Sequence, residues 1–464
     1  MVLTAAEVAS LAGGRVAGTT TVSVTGPVVA DSREARPGSL FVAVKGERVD
    51  GHDFATAAAA GGAVLAIGAR EVDGLPTVVV DDPVTALGRL AHGVLGRLPD
   101  VRVVGVTGSV GKTTTKDLLA ALHARLGPTV STPGSYNTEI GLPLTVLGAD
   151  EHTRFLVLEM GARGVGHVRE LCRLAPPRTG LVLNVGTAHI GEFGSRDAVA
   201  VAKGELVEAL PSDGLAVLNA DDTMVLTMAA RTEASVVTFG RAAASDVRAS
   251  DVTLDHGRAR FRLAAPQGSA DVTLHLVGEH QVANALGAAA VALGSGLSVG
   301  EAAEVLSTAE PASRWRMEVV ERADGVTFVN DAYNANPESM TAAVRALVDI
   351  AGGRRTWAVL GEMRELGAAA EREHEALGRL VVRTGVDRLV VVGEEAWPVR
   401  HGAAQAAAES GVSAPHGPAY VADVDDAVAL LRDELRPGDV VLVKASRGAG
   451  LQRVVDALLG EGGA

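Results

Sequence analysis

The chain is poor in cysteine, lysine and long apolar runs, and each shortage excludes a kind of site or a class of protein. Its single cysteine, Cys172, rules out an intrachain disulfide and a zinc site built on several cysteines, which fits a reducing compartment. The most apolar stretch, residues 55–69, is interrupted by glycine, and we expect a buried helix followed by a strand there, not a membrane span. The first residues lack the pattern of a signal peptide, so we expect a cytoplasmic protein.

Lysine is scarce while arginine is not. Only five of the 42 basic residues are lysines: Lys45, Lys112, Lys116, Lys203 and Lys444. Arginine can replace a generic positive charge, but it cannot replace a compact point charge or a reactive amine. The remaining lysines are therefore enriched for such roles, although chance accounts for at least one of them.

The composition describes a folded, acidic protein. The net charge of −14 argues against a broad nucleic-acid-binding surface, although a local glycine loop can still bind an anion. With 464 residues, 47% of them hydrophobic, the chain is long enough for two or three domains with aliphatic cores. We expect a monomer with no nucleic-acid or membrane partner.

Strand-like apolar runs alternate with helical patterns along most of the chain. This alternation predicts an α/β fold with a central, P-loop-type, doubly wound and mostly parallel sheet. We expect a small α/β domain before this sheet and a Rossmann-like domain after it. The predicted domains are residues 1–98, 99–311 and 312–464. Residues 249–277 alternate as antiparallel hairpins do, and residues 308–317 suit a connector.

The stretch GVTGSVGKTTTK, residues 105–116, has the chemistry of a phosphate loop. Its glycines allow close approach and positive φ, Lys112 supplies a point charge, and Thr113 offers a hydroxyl to Mg²⁺. The helix that follows places its positive end under the anion. The common P-loop spacing requires glycine at position 106, where this chain has Val106, so the loop is of a different kind. A plain glycine turn between strand and helix is the structural alternative.

TGSVGKTTTK resembles the nucleotide loop of the Mur ligase family, T-G-[ST]-x-G-K-T-T. Further family-like stretches follow in the expected order: VLEMGA, NVGTAHIGEFGS, VAKGELVEAL, VLNADD, GEHQVANALGAAA, SRWRMEV, NDAYNANPESM, VLGEMRELG and VLVKASRG. NDAYNANPESM and the segment at 31–54 are most similar to the members that add D-alanyl-D-alanine. The DNPR motif, typical of members that add the third amino acid, is absent.

The resemblance implies an ATP- and Mg²⁺-dependent ligase of peptidoglycan synthesis. It would join D-alanyl-D-alanine to UDP-N-acetylmuramoyl-tripeptide through an acyl phosphate, because an unactivated carboxylate repels an attacking amine. Such a site must neutralise a triphosphate, a carboxylate and a developing oxyanion. The first domain would bind the UDP-muramoyl substrate and the second ATP, while the third would bind D-alanyl-D-alanine and close on ATP.

The resemblance also implies the site residues. Catalytic roles fall to Lys112, Glu159, His189 and Lys203, and Mg²⁺ would be held by Thr113, Glu159, His189 and, if carbamylated, Lys203. ATP would contact Thr107, Gly108, Ser109, Val110, Gly111, Lys112, Thr113, Thr114, Asn284, Arg314 and Asp331. The substrates would contact Ser32, Arg33, Lys45, Asn137, Thr138, Tyr333, Asn334 and Asn336.

Several of these residues have structural alternatives. A lone histidine is more often structural than a ligand, Asn284 could be a polar residue on an exposed helix face, and the NANP segment also suits a turn. Ser32, Arg33 and Lys45 could belong to a solvated turn. Lys203 could be unmodified and pair with Glu205, Glu208 or a phosphate. Ser313 stands where the family has glycine, which leaves the backbone before Arg314 open.

Three other functions fit parts of the sequence. Another acid–amine ligase of the superfamily, such as a folate polyglutamate ligase or a third-residue Mur ligase, would differ in its substrates. A P-loop GTPase or kinase is the second alternative; a GTPase should carry an N-K-x-D guanine motif, and the chain has no Asn-Lys pair. A non-enzymatic nucleotide-gated scaffold would have no need to keep Lys112, Glu159 and Lys203 together.

Overall fold

The computed structural model describes residues 2–46, 49–187, 190–410 and 419–460, and these form three α/β units in chain order. The strands of the first unit are β1 (Leu3–Thr4), β2 (Arg15–Ala17), β3 (Ser23–Val24), β4 (Val28–Val29), β5 (Ser39–Val42), β6 (Ala63–Gly68) and β7 (Thr77–Val79). Its helices are α1 (Ala5–Ala12), α2 (Ala55–Ala60) and α3 (Pro83–Leu95). Its main sheet has the order β2-β7-β6-β5-β4, and β1 pairs with β3 separately.

Local sequence explains how the first unit leads into the second. The stretch 55–69 forms a helix and then a strand, α2 and β6, as predicted, but α2 is not the buried helix expected, because only Ala55 and Ala58 of its six residues are buried. Helix α3 begins at Pro83, which fits the first helical position, and the Asp82 carboxylate accepts hydrogen bonds from the N–H groups of Val84 and Thr85. This helix carries the chain towards the central sheet.

The second unit contains a nine-stranded sheet. Its strands are β8 (Arg102–Thr107), β9 (Thr129–Ser131), β10 (Phe155–Glu159), β11 (Thr179–Val182), β12 (Leu215–Asn219), β13 (Ser235–Gly240), β14 (Val247–Asp255), β15 (Arg258–Ala265) and β16 (Gly268–Val277). Its helices are α4 (Lys112–Ala124), α5 (Gly141–Val146), α6 (His167–Leu174), α7 (Ile190–Phe193), α8 (Arg196–Glu208), α9 (Thr223–Leu226), α10 (Gln281–Gly294) and α11 (Val299–Thr308). The strand order is β16-β15-β14-β13-β12-β11-β8-β10-β9.

The strand order of this sheet changes direction at its centre, beside β8. Strands β9 to β13 run parallel to β8, while β14, β15 and β16 form the antiparallel hairpins that the sequence predicts. Strand β8 lies between β10 and β11. The connection after β8 runs to β9 at one edge of the sheet, and the connection after β11 runs to β12 in the opposite direction. In doubly wound sheets ligands bind at such a point, beyond the carboxyl ends of the strands.

The described residues of the third unit form a six-stranded sheet in which β17 pairs antiparallel with β18 and the other pairings are parallel. Its strands are β17 (Glu318–Glu321), β18 (Thr327–Asn330), β19 (Thr356–Leu360), β20 (Arg388–Val392), β21 (Ala419–Val421) and β22 (Val440–Lys444). Its helices are α12 (Pro337–Ala351), α13 (Ala370–Arg383), α14 (Trp397–Ser410), α15 (Val424–Glu434) and α16 (Gln452–Leu459). The order is β17-β18-β22-β19-β20-β21, with a buried apolar cluster on each face.

The predicted fold class is confirmed by these mostly parallel sheets. The predicted connector is also observed, because residues 309–317 between α11 and β17 form neither helix nor strand. Within it, Trp315 and Met317 have φ values of +60° and +50°. In the described part of the chain, no helix has the length and apolar character needed to cross a bilayer.

Candidate nucleotide and substrate site

The candidate site lies at the carboxyl edge of the central sheet, where three neighbouring strands end. The glycine loop follows β8, Glu159 is the last residue of β10, and Asn184 lies two residues beyond β11. Because the strands are parallel, their ends meet at one edge and bring these distant segments together.

Glycine at position 111 is required by the path of the loop. Gly111 has φ +84°, in the left-handed region, and directly precedes α4. A Cβ atom there would lie 2.3 Å from Oδ1 of Asn284, so the buried Asn284 amide lies against the loop and not on an exposed helix face. At the other end of the loop the Thr107 hydroxyl donates a hydrogen bond of 2.9 Å to the Met160 carbonyl. Thr107 therefore ties the end of β8 to the end of β10.

The Asn184 side chain shapes the loop, and the sequence did not identify it. Its Oδ1 atom accepts hydrogen bonds from the N–H groups of Ser109 at 2.9 Å and Val110 at 3.0 Å. Its Nδ2 atom donates to the Val110 carbonyl at 3.1 Å. The neighbouring Gly186 N–H donates to Ser109 Oγ at 2.8 Å. Asn184 could have been found from the family-like stretch NVGTAHIGEFGS, which it begins. The sequence interpretation assigned a role only to His189 in that stretch.

Lys112, Thr113, Asn137 and Glu159 form one contiguous group. The Thr113 hydroxyl and the Asn137 amide each donate a 2.7 Å hydrogen bond to the Glu159 carboxylate, which is buried. Lys112 Nζ donates to the carbonyls of Gly108 and Ser109 at 2.8 and 3.3 Å. Burial lowers the pKa of Lys112 and nearby Arg316 lowers it further, while Glu159 opposes both effects.

Lys203 is a buried amine on α8 that lines the same cavity. Burial, and then the charge of Lys112, hold its pKa well below the usual range. Its suggested partners Glu205 and Glu208 are engaged elsewhere: Glu205 accepts from the backbone N–H groups of Gly166 and Arg169, and Glu208 pairs with arginines. Within the described residues Lys203 has no hydrogen-bond or ion-pair partner.

A cavity of about 740 Å³ joins this group to the third unit. From the central unit, the lining includes the loop residues from Ser109 to Thr114 together with Asn137, Thr138, Glu159, Asn184, Lys203 and Asn284. From the third unit, it includes Arg316, Asp331, Tyr333, Asn334, Asn336, Glu338 and Lys444. The predicted residues of two different units therefore face one space.

In the third unit, pairing of β18 with β22 sets Asp331 beside Lys444. Lys444 Nζ donates to Asp331 Oδ2 at 2.5 Å and to the Asn334 carbonyl at 2.8 Å. The Asn336 side chain accepts from Ser339 N–H and caps α12, so Asn336 also has the turn role that NANP allowed. Lys444 belongs to a family-like stretch but was given no role from the sequence.

Of the two arginines in the connector, Arg316 lines the cavity, whereas the sequence interpretation chose Arg314. Arg314 is exposed and its guanidinium lies 5.5 Å from the Trp315 ring centroid, outside the cavity lining. Arg316 donates to Ser135 Oγ at 2.8 Å and lies 4.2 Å from the Tyr333 ring centroid. The positive φ of Trp315 redirects the chain between the two arginines, which residue spacing alone does not reveal.

Ser32, Arg33 and Lys45 do not line this cavity. Arg33 lies in a short 3₁₀ turn with its side chain 87% exposed, and its hydrogen bonds to Asp31 lower the pKa of that carboxyl to about 2. Lys45 is exposed. Burial raises the pKa of Tyr136, which precedes the lining residue Asn137, and the charges of Glu34 and Asp31 in this turn raise it further. His189 lies outside the described residues.

The donors present fit Mg²⁺ bound together with a triphosphate. Mg²⁺ prefers oxygen ligands and is usually held by one or two carboxylates plus substrate phosphates, and Glu159 with Thr113 supplies a carboxylate and a hydroxyl. In the described ranges no group of three His, Cys, Asp or Glu is placed to hold a metal.

Comparison with known proteins gives consistent matches over the whole chain. Residues 27–93 match the model described as the Mur ligase family, catalytic domain, 106–292 the Mur ligase middle domain, and 315–447 the Mur ligase, glutamate ligase domain. The UDP-N-acetylmuramoyl-tripeptide–D-alanyl-D-alanine ligase of Mycobacterium tuberculosis is 48% identical, over 99% of this chain and 98% of its own. A crystal structure of MurF from Acinetobacter baumannii matches with a TM-score of 0.88 at 31% identity, covering 99% of both chains. MurF ligase from Thermotoga maritima, in complex with ADP, matches with a TM-score of 0.79 at 32% identity, over 95% of this chain and 98% of that one.

Proposed function

This chain belongs to the Mur ligase family, and we propose that its central cavity carries out the ligation with the residues described above. The reaction is the ATP-dependent joining of D-alanyl-D-alanine to UDP-N-acetylmuramoyl-tripeptide, which releases ADP and phosphate. One observation carries the assignment of roles: the loop at Ser109–Thr114 and the Asp331–Lys444 pair face one cavity from two different units. ATP can then be held from both sides while its terminal phosphate meets the second substrate.

The loop binds the triphosphate. Lys112 Nζ, now bonded to loop carbonyls, exchanges them for phosphate oxygens, and the loop N–H groups and the start of α4 face the same anion. Asn184 keeps the loop open towards the phosphates. Asn284 and Asp331 contact the rest of the nucleotide, and Arg316 takes the role that the sequence interpretation gave to Arg314.

Glu159 and Thr113 would hold Mg²⁺, which supplies positive charge to the phosphate oxygens when bound. Lys203 joins this group as a carbamate. The lowered pKa of the Lys203 amine favours its neutral form, which can react with CO₂, because burial and the charge of Lys112 both disfavour an ammonium at this position. The carbamate replaces a cation with an anion at that point. His189, the remaining metal candidate, stays a prediction.

The acceptor substrate enters from the first unit. Asn137 and Thr138 line the cavity on the side of Tyr136, which lies within electrostatic range of the first unit's 31–34 turn. We assign Ser32, Arg33 and Lys45 to the UDP end of the substrate, and Tyr333, Asn334 and Asn336 to the side that receives D-alanyl-D-alanine. The units correspond to domains 1–98, 99–311 and 312–464, acting as a monomer in the cytoplasm.

Phosphate release from ATP, measured with a panel of UDP-muramoyl peptides, tests this function. Release should require both a UDP-muramoyl tripeptide and D-alanyl-D-alanine. If release depends instead on a UDP-muramoyl dipeptide and a single amino acid, the protein is a third-residue ligase. If release depends on a folate, the protein is a folate polyglutamate ligase. Hydrolysis that no acceptor stimulates would contradict a ligase altogether.

A further inference from the structure

Glu338 is a carboxylate of the third unit that reaches across to the central unit. It lies in the first turn of α12, and its Oε1 atom accepts hydrogen bonds from Thr187 N–H at 2.5 Å and from Thr187 Oγ1 at 2.8 Å. A Cβ atom on Gly186 would lie 2.7 Å from Glu338 Oε1 and 3.3 Å from Ser109 Cβ. Because residue 186 is a glycine, the Glu338 carboxylate can approach its backbone on one side while Ser109 of the phosphate loop lies close on the other.

The second oxygen of Glu338 has no assigned role. Oε2 is buried and has no hydrogen-bond partner, while the residue lines the central cavity. Among the described residues no Lys, Arg or His forms an ion pair with it, and it belongs to no cluster of three potential metal ligands there. A buried carboxylate oxygen without a partner is costly to maintain, which points to a cation supplied by a ligand.

We propose that the Glu338 carboxylate turns towards the cavity that it lines, binds the ammonium group of the incoming dipeptide and accepts the proton whose loss frees the amine for attack. This inference rests on the proposed function. Of the two charged ends of D-alanyl-D-alanine, a carboxylate attracts only the ammonium and repels the carboxylate. An ammonium brings its own N–H donors, which match a single acceptor better than a metal ion that needs several ligands at once.

The position suits the second half of the reaction. The amine must reach the acyl phosphate beside the terminal phosphate of ATP, and Glu338 and the loop residue Ser109 both lie against Gly186. An α-ammonium has a pKa of about 8, so it must lose a proton before its lone pair can attack. As the nitrogen–carbon bond forms, the carbon–oxygen bond to phosphate breaks and phosphate leaves with the electron pair. The nitrogen loses two protons, one to Glu338 and from there to solvent, and one to the departing phosphate.

The test uses Glu338→Gln, which keeps the shape and the oxygen that faces Thr187 but removes the charge. We expect the KM for D-alanyl-D-alanine to rise roughly 10- to 100-fold, the usual loss when a charged hydrogen-bond partner becomes neutral. Hydroxylamine, which is uncharged at neutral pH, should still trap the acyl phosphate as a hydroxamate at the wild-type rate. Glu321→Gln, an exposed residue of the same unit, controls for the change of net charge and should keep the wild-type KM for the dipeptide.

Other outcomes overturn the inference in distinguishable ways. A loss of hydroxamate formation in Glu338→Gln that excess Mg²⁺ restores would show that Glu338 serves a metal. An equal defect in Thr187→Val, with the KM for ATP and for dipeptide changing together, would show that the contact only holds two units together. An unchanged KM for dipeptide in Glu338→Gln would contradict the proposal directly. If wild-type protein with UDP-muramoyl tripeptide formed no hydroxamate, the proposed function itself would fail.

Discussion

Replacing Asn184 tests whether one side chain between two strand ends holds the nucleotide loop in its binding conformation. Asn184→Ala removes three hydrogen bonds, two accepted from loop N–H groups and one donated to the Val110 carbonyl. At about 1 kcal/mol each, they stabilise the loop by roughly 3 kcal/mol, part of which water recovers when it solvates the freed groups. Since 1.4 kcal/mol corresponds to tenfold, we expect the KM for ATP to rise roughly 10- to 100-fold.

Asn184→Asp separates the effect of the loop hydrogen bonds from the effect of a negative charge near the triphosphate. The aspartate can still accept from both N–H groups, so the loop keeps two of its three contacts. It also places a negative charge beside the triphosphate, which at a separation of ~6 Å and an effective dielectric constant of ~20 costs roughly 3 kcal/mol per phosphate charge. The Asp variant should therefore bind ATP at least as weakly as the Ala variant.

Titration calorimetry with a non-hydrolysable ATP analogue, alongside steady-state kinetics, measures both effects. Thermal unfolding without nucleotide controls for loss of the fold. An Ala variant with an ATP affinity within twofold of wild type would refute the reasoning, because the loop would then order itself without the amide. An Asp variant that binds more tightly than the Ala variant would refute the electrostatic part.

Three further predictions concern the lysines and the contacts between units. Lys112→Ala and Lys112→Arg should both lose ATP turnover while circular dichroism shows an intact fold, since the loop accommodates an ammonium; full activity of the Arg variant would contradict a phosphate role. Lys203→Ala should lose turnover and regain it with short carboxylic acids, and rescue by short amines instead would contradict the carbamate. Small-angle scattering should give a smaller radius of gyration with ATP analogue and muramoyl tripeptide, because we expect the second and third units, which the Ser313–Asp117 and Arg316–Ser135 hydrogen bonds connect, to close on the ligand. An unchanged radius would remove the support for such movement.

The elements whose signals are local were predicted from the sequence. The strand, glycine loop and helix at 101–124, the antiparallel segment at 249–277 and the connector before β17 each depend on neighbouring residues. Apolar periodicity and the conformational freedom of glycine act over a few positions, so they can be read without tertiary information. The ordered family-like stretches added the family and the reaction, which the comparisons confirm.

The choice between neighbouring arginines required the backbone. Arg314 and Arg316 are equally polar and only two residues apart, and an extended segment would point both to the same side. The left-handed conformations of Trp315 and Met317 break that regularity and turn Arg316 alone into the cavity. No side-chain pattern predicts a positive φ at a tryptophan, since that conformation is imposed by its surroundings.

The sequence by itself determined which residues could bind a phosphate and which chemistry they could support, because Gly111, Lys112 and Thr113 are adjacent in the chain. Only the tertiary structure decided what completes the site around them. Asn184 reaches the loop because β11 lies beside β8, and Glu338 reaches Thr187 because α12 of another unit lies against residues 186–187. Contacts between residues some 70 to 150 positions apart depend on strand order and on how the units meet, and neither property is written in any local stretch of sequence.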